Sequence, residues 1–285
     1  MPQVITDIAA MQKTVVGLRR KGKRIAVVPT MGALHEGHLT LIREGKKLAD
    51  AVITTVFVNP KQFGEGEGFE RYPRALEDDA RLATAAGSDY VFAPGAGMMY
   101  PDGFATVVDV ERLSSILEGQ SRPGHFRGVA TVVTKLFNIT TPDVALFGQK
   151  DAQQVVVIRR LIRDLNFNIE FVVVPTVREP DGLALSSRNR YLSAEQRAQA
   201  PVLYQALLLA EQLIRGGERS CKQIVGAMKA MIRSRSSAII DYVSIGDADT
   251  LDEQYECLPG RSLLISLAAR FGTTRLIDNI IVTVR

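Results

Sequence analysis

Apolar residues in the first half of the chain fall into short unbroken blocks, separated by longer stretches in which they recur at helical intervals. Residues 25–28 and 51–58 are β-branched, apolar runs of the kind buried on both faces of a sheet, and 39–49 between them reads as a helix. One βαβ unit is therefore placed. Further strands are predicted at 90–93, 144–147 and 169–174, and further helices at 128–139 and 152–165. This alternation predicts an α/β fold: a Rossmann-like open parallel sheet with helices on both faces and right-handed crossovers. Ligands in such sheets sit outside the carboxyl ends of the strands.

The pattern changes at 175–189, where Pro175, Pro180, Asp181 and Gly182 punctuate the chain. A helical pattern follows from Ser193 to Arg215, with Ser193 as N-cap, Glu195 in the first turn and Gly216-Gly217 as the stop. Strands are predicted at 239–245, 262–267 and 276–284. The expected division is a first domain at 1–176 and a smaller α+β C-terminal domain at 177–285, sizes that ordinary domains allow. No internal repeat or low-complexity tract interrupts either part.

Composition changes this picture little. The 285 residues carry 35 Lys and Arg against 31 Asp and Glu, a formal +4, with 23% charged and 46% hydrophobic. That excludes a disordered acidic segment and hints at anionic ligands, but a small excess spread over the chain makes no nucleic-acid stripe. Cys221 and Cys257 have no close Cys or His neighbours in sequence, so neither a zinc site nor a disulfide framework is expected, and inert thiols are the default. No apolar run approaches the roughly 18 residues of a membrane helix. Gln3, Asp7, Gln12, Lys13 and Arg19 interrupt the first residues, so no signal core is read there and a cytoplasmic address is expected. The acceptor string at Asn138-Ile139-Thr140 then goes unused.

Three strings carry candidate chemistry. In 28–38, Val-Pro-Thr-Met-Gly-Ala-Leu-His-Glu-Gly-His, a strand ends and a helix begins. A helix N-terminus offers amides and a positive dipole end to phosphate. Gly32 and Gly37 permit close backbone approach, and His35 and His38 fall within one turn, able to point at one phosphate. Either histidine alone is as well explained as a surface or core residue, but two of the three in the chain share this stretch. Zinc would need three or four ligands, and no partner stands at a suitable spacing. In 148–154, Gly-Gln-Lys-Asp-Ala-Gln-Gln, Lys150 suits a phosphate, Asp151 suits either a ligand or an N-cap, and Gln149 and Gln154 suit a hydroxyl-bearing substrate. In 185–189, Leu-Ser-Ser-Arg-Asn, two hydroxyls and a guanidinium could clamp phosphates, although such a string is common in loops. Between these lie Val58 to Phe63, Arg71 to Arg74 and the acidic Glu77-Asp78-Asp79. The acidic triplet reads either as a magnesium site or, more simply, as a solvated helix face.

Taken together, the strings at 29–38, 57–63 (Phe-Val-Asn-Pro-Lys-Gln-Phe), 122–128 (Arg-Pro-Gly-His-Phe-Arg-Gly), 147–151 (Phe-Gly-Gln-Lys-Asp) and 186–189 (Ser-Ser-Arg-Asn) resemble the pantoate–β-alanine ligase family of HIGH-type nucleotidyltransferases. The resemblance spans nearly the whole chain. It implies ATP-dependent ligation of pantoate and β-alanine to pantothenate through a pantoyl adenylate, releasing pyrophosphate and AMP, with magnesium as cofactor. Carried over residue by residue, it implies His35 and His38 at the ATP phosphates and Met31 at the reacting centre. Lys150, Ser186, Ser187 and Arg188 would hold the phosphate chain, and Asp151 the ribose. Val177 and Leu185 would line the nucleotide pocket, with Gly37 and Gly148 giving close backbone approach. Pro29, Gln62 and Gln154 would bind pantoate, Gln62 also β-alanine, and Asp79 the magnesium. The resemblance further implies a homodimer through the first domain and a C-terminal lid hinged near 176, with no nucleic-acid or membrane partner.

The residues agree with such chemistry. Fixed donors from His38, Lys150 and helix-terminal amides suit charge developing on an α-phosphate, and no Gly-x-Ser-x-Gly elbow or His-paired Cys provides a covalent nucleophile. Leu185 stands where many relatives have Met, a mild apolar exchange. The stretch Phe63 to Gly68 alternates glycine and is expected to be mobile. Two other classes remain: a nucleotidyltransferase that stops after transferring AMP, and a nucleotide-sensing module without turnover. A Rossmann dehydrogenase is disfavoured because no Gly-x-Gly-x-x-Gly follows the first predicted strand.

Overall fold

Residues 3–64 and 68–285 are described by the computed structural model; Glu65, Gly66 and Glu67, at the heart of the glycine-rich stretch, lie outside them. The chain divides into two units, one of residues 1–148 and 153–175, the other of 149–152 and 176–285.

The first unit is built on six strands: β1 (Gln3–Ile5), β2 (Ile25–Thr30), β3 (Ala51–Val56), β4 (Tyr90–Phe92), β5 (Val144–Gly148) and β6 (Glu170–Val174). All pair in parallel, in the order β1-β4-β3-β2-β5-β6. Its helices are α1 (Ile8–Arg20), α2 (Glu36–Leu48), α3 (Leu76–Ala85), α6 (His125–Thr140) and α7 (Ala152–Asp164), with single turns α4 (Ala96–Met99) and α5 (Glu118–Ser121). The expected α/β architecture is present.

Strand pleating explains the two covered faces. Ala26 and Val28 of β2 pack in one cluster with Leu41 and Ile42 of α2 and Ala80 and Ala83 of α3, so Ile25 and Val27, also fully buried, face the other side. From β2 the chain runs outward through β3 to β4, then returns to place β5 on the opposite flank of β2. The gap between the carboxyl ends of β2 and β5 is thus the topological switch point, where open α/β sheets bind ligands. The loop leaving β2 there carries Met31 to His35.

The second unit packs α9 (Val202–Arg215) and α10 (Cys221–Arg235) against an antiparallel sheet of β7 (Ile239–Asp247), β8 (Ser262–Phe271) and β9 (Thr274–Thr283). Leu203, Leu207, Ile214, Ile224, Met228, Ile265, Leu267 and Phe271 are among its core residues. The single helix expected from Ser193 to Arg215 is two. α8 (Ala194–Gln199) opens on Ser193, the N-cap the sequence expects, and Gln196 completes a capping box: Ser193 Oγ accepts from the Gln196 amide at 3.2 Å and Gln196 Oε1 accepts from the Ser193 amide at 3.0 Å. It ends before Pro201, which has no N–H to continue the ladder and instead starts α9. Among the described residues no helix is long and apolar enough to cross a membrane.

Cys221 and Cys257, distant in sequence, meet in this core as free thiols, Sγ to Sγ 3.5 Å. Burial pushes the Cys221 thiol up to about 12 and raises that of Cys257 as well.

Candidate active site

The loop after β2 is held from within. Gly32 takes a left-handed φ of 82°, a conformation glycine adopts without strain, and a Cβ there would lie 2.7 Å from Asp79 Oδ2. Thr30 Oγ1 accepts from the Gly32 amide at 3.1 Å, and Asp79 accepts from the Ala33 and Leu34 amides at 3.1 and 2.8 Å. His35 is the N-cap of α2 and so stands just outside the first turn the sequence assigns it. His35 Nδ1 accepts from the Gly37 amide at 3.2 Å, and His38 Nδ1 accepts from the His35 amide at 3.3 Å. The two rings are tilted 39° to one another with centroids 4.1 Å apart. With each Nδ1 an acceptor, the ring proton is assigned to Nε2 in both residues.

This arrangement corrects one expectation. The amides of Gly32, Ala33, Leu34, His35 and Gly37 bond to side chains of the loop and of Asp79, and that of His38 to the His35 carbonyl at 2.8 Å. The row of available backbone donors expected at this helix start is therefore committed, and the imidazoles are the loop's groups suited to an anion.

Asp79 is corrected too. Glu77 and Asp78 are the solvated face expected of the acidic triplet, but Asp79 is 2% exposed with both oxygens turned onto the Ala33-Leu34 backbone. Among the described residues no three or more His, Cys, Asp or Glu side chains are grouped to hold a metal ion. Magnesium prefers an open octahedral shell that retains waters, so Asp79 does not fit as its ligand.

At the end of β3, Asn59, 1% exposed, is fully satisfied: Nδ2 donates to Gln62 Oε1 at 3.1 Å and to the Gly128 carbonyl at 3.0 Å, while Oδ1 accepts from the Lys61 amide at 3.2 Å and from Tyr100 Oη at 2.8 Å. Burial raises the Tyr100 hydroxyl far above its usual range. Gln62, 8% exposed, directs Nε2 at Met31 Sδ, 2.9 Å away. Two residues expected at the substrate thus touch each other. Pro29 sits near the end of β2 opposite Thr55, and Gln154 is half-buried in the first turn of α7.

Sequence reading assigns no role to the string at 122–128, and the structure supplies one. His125 Nδ1 bonds the Gln62 carbonyl at 2.8 Å, Arg122 Nη2 donates to the same oxygen at 3.4 Å, and a Cβ on Gly128 would lie 2.1 Å from the Lys61 carbonyl oxygen. All three secure the short 3-10 turn Pro60–Gln62 that presents Gln62. Gln153, beside the expected Gln154, is likewise structural, bonding the Glu118 amide and the Leu113 and Ile116 carbonyls.

In the second unit, Lys150, Ser186, Arg188 and Asn189 line one pocket together with Leu183, Ala184, Leu203, Arg275, Leu276, Ile277 and Asp278. Two strings far apart in sequence are thereby joined. The pocket's loop is a tight reversal, the Leu185 amide donating to the Val177 carbonyl at 2.9 Å and Arg178 pairing with Ala184 across it. Ser186 Oγ caps the 3-10 turn Ser187–Tyr191 by accepting from the Arg188 amide at 3.2 Å. Arg188 is exposed, Ser187 half-buried, and Asn189 Oδ1 is a buried acceptor with no donor among the described residues. Lys150 Nζ lies 3.6 Å from Asp151 Oδ1, and Asp151 is exposed. A Cβ on Gly148 would meet nothing within 4 Å, so the backbone there is open. Beneath the pocket Arg178 pairs with Asp278, 3% exposed, at 2.7 and 2.9 Å, and lies 3.7 Å over the Tyr204 ring. Burial drives the Asp278 carboxyl up while Arg178 pulls it down, the net shift being upward.

Comparison with known proteins decides what this arrangement belongs to. A family model described as pantoate-beta-alanine ligase matches residues 3–281. The chain belongs to the pantoate–β-alanine ligase family. It is 54% identical to the pantothenate synthetase of Moorella thermoacetica and 52% identical to that of Acetivibrio thermocellus, each over 99% of both chains. The crystal structure of pantothenate synthetase from Thermus thermophilus superposes with a TM-score of 0.90 at 46% identity, covering 98% of both chains. A Francisella tularensis pantoate-beta-alanine ligase, solved in complex with "Beta-gamma ATP and Beta-alanine", aligns with a TM-score of 0.79 at 34% identity over 98% of this chain and 97% of that one. Family membership makes this protein an enzyme, a ligase that forms the carbon–nitrogen bond between pantoate and β-alanine.

Proposed function

We propose that the enzyme makes pantothenate in two steps through a pantoyl adenylate. A carboxylate oxygen of pantoate attacks the α-phosphorus of ATP and pyrophosphate leaves. The amine of β-alanine then attacks the acyl carbon, losing a proton as the carbonyl–oxygen bond to phosphate breaks and AMP departs. The Francisella relative, named for a bound ATP analogue and β-alanine, supports both substrates. The observation that carries the reading is the histidine pair at the switch point: each Nδ1 is committed to a backbone amide, so each ring is held with its Nε2–H as the donor for phosphate oxygen.

Such donors are already in place before the reaction, so stabilising charge that develops on phosphate requires no reorganisation. In the second unit Lys150 supplies a point charge and Ser187 and Arg188 further donors to the triphosphate, with Val177 and Leu185 against the base and Asp151 at the ribose. Pro29, Gln62 and Gln154 take pantoate, Gln62 also β-alanine, and Met31 lies at the reacting carboxylate. Magnesium enters on the phosphates of ATP, whose oxygens suit this hard cation, and not through Asp79. A homodimer through the first unit and a cytoplasmic site of action belong to the same reading. The test is AMP release measured with each substrate omitted in turn: release requires both pantoate and β-alanine, and His38→Ala lowers it about 100-fold or more. AMP formed without either acid, or pyrophosphate released with no AMP, would overturn the ligase chemistry.

A further inference from the structure

Asn279, in β9, is not among the residues the sequence puts forward for substrate, yet its side chain holds the turn that carries Lys150. It is 4% exposed. Its Nδ2 donates to the Gln149 carbonyl at 3.0 Å and to the Lys150 carbonyl at 2.9 Å, and its Oδ1 accepts from Gln149 Nε2 at 2.9 Å. Every hydrogen of the amide group and its oxygen are thus spent on two consecutive residues of one 3-10 turn, Gln149–Asp151. The clamp is itself anchored. The Asn279 amide donates to Asp278 Oδ1 at 2.8 Å, and Asp278 is gripped on both oxygens by Arg178. The turn is only three residues long, set between the end of β5 at Gly148 and the start of α7 at Ala152, and these three bonds tie its Gln149 and Lys150 to β9.

We propose that Asn279 is a positioning residue for the ATP-dependent step: it fixes the Lys150 backbone so that Nζ is presented into the pocket with Ser186 and Arg188. The inference rests on the reading that Lys150 binds the triphosphate. Asparagine is the side chain the task requires, because the turn offers two carbonyls and one side-chain donor, and only a group with two donors and an acceptor meets all three. Aspartate would set its oxygens against both carbonyls, and alanine would leave two buried acceptors without donors.

The test is a double-mutant cycle on the full-length enzyme, reading kcat and KM for ATP together with the thermal midpoint. Lys150→Ala, Asn279→Ala and the double variant are compared at a temperature where all are folded. A misplacement of about 1 Å can cost about 100-fold, so Asn279→Ala is expected to lose about that in kcat/KM for ATP. In the Lys150→Ala background the same change is expected to cost almost nothing, since the group it positions is gone. Asn279→Ser, which keeps one donor, is expected to fold where the alanine variant is too weak and to retain an intermediate activity. If Asn279→Ala and Asn279→Ser lower only the thermal midpoint, or if their losses add fully to that of Lys150→Ala, Asn279 merely supports the fold and the proposal fails. If Lys150→Ala itself leaves kcat/KM unchanged, the reading of Lys150 fails first, and the role of Asn279 falls with it.

Discussion

At the scale of single residues, the side chains that organise the site differ from those the sequence puts forward. His35, His38 and Lys150 stand out because they are chemically distinctive and sit where strands end. Asp79, Asn59, His125 and Asn279 do not, because their work is to hold a backbone segment brought close only by the fold, and nothing in local spacing announces such a contact. Asp79 is the sharpest case. Its place in an acidic run points to a metal, whereas its carboxylate accepts from the Ala33 and Leu34 amides. Asp79→Asn sets an NH2 against one of those amides and is expected to cost about 1–3 kcal/mol in urea unfolding. Its dependence of activity on magnesium concentration is expected to match that of the wild type; a large rise in the magnesium needed for half-maximal rate would make Asp79 a ligand after all. Cys221 gives a pH signature. In the unfolded chain its thiol ionises near 9, but burial in the fold holds the proton until about 12. Its contribution to stability is therefore complete below pH 9 and lost as the pH rises towards 12. Thermal midpoints at about pH 8 and about pH 10.5 should fall further for the wild type than for Cys221→Ala, and parallel falls would show that the thiol does not resist ionisation.

At the scale of elements, periodicity locates β2 to β6 and the helices α2, α6 and α7, because each is an unbroken apolar run or an amphipathic stretch; it misses β1, which is three residues long with two of them exposed, and α1 and α3. Boundaries are harder to read where one residue overrides a pattern. Pro201 breaks an otherwise continuous helical stretch into α8 and α9. The buried positions of α10, Cys221, Ile224, Met228 and Ile232, do recur at helical spacing, but Lys222, Gln223 and Lys229 dilute them. The string at 122–128 matches the family without disclosing its use, since Gly128 is required by the Lys61 carbonyl, far away in sequence. Gly128→Ala must displace the Pro60–Gln62 turn and is expected to destabilise by more than about 2 kcal/mol. It should also raise the KM for pantoate more than that for ATP, because Gln62 rides on that turn. Equal effects on both substrates would separate the turn from pantoate.

At the scale of the molecule, the parallel pairing follows from the alternation of elements, whereas the strand order emerges only in the fold; the switch point between β2 and β5 explains why both motif-bearing loops follow those two strands. The grouping of Gln149–Ala152 with the second unit is different in kind. Asn279, well over a hundred residues later, bonds that turn, and no reading along the chain could supply the contact. In the proposed reaction, carboxylate activation precedes attack by the amine and does not need it. Exchange of labelled pyrophosphate into ATP, measured with magnesium and pantoate but no β-alanine, tests this most directly. Exchange is expected to require pantoate and to fall about 100-fold in Lys150→Ala; exchange that starts only when β-alanine is added would contradict this order of steps.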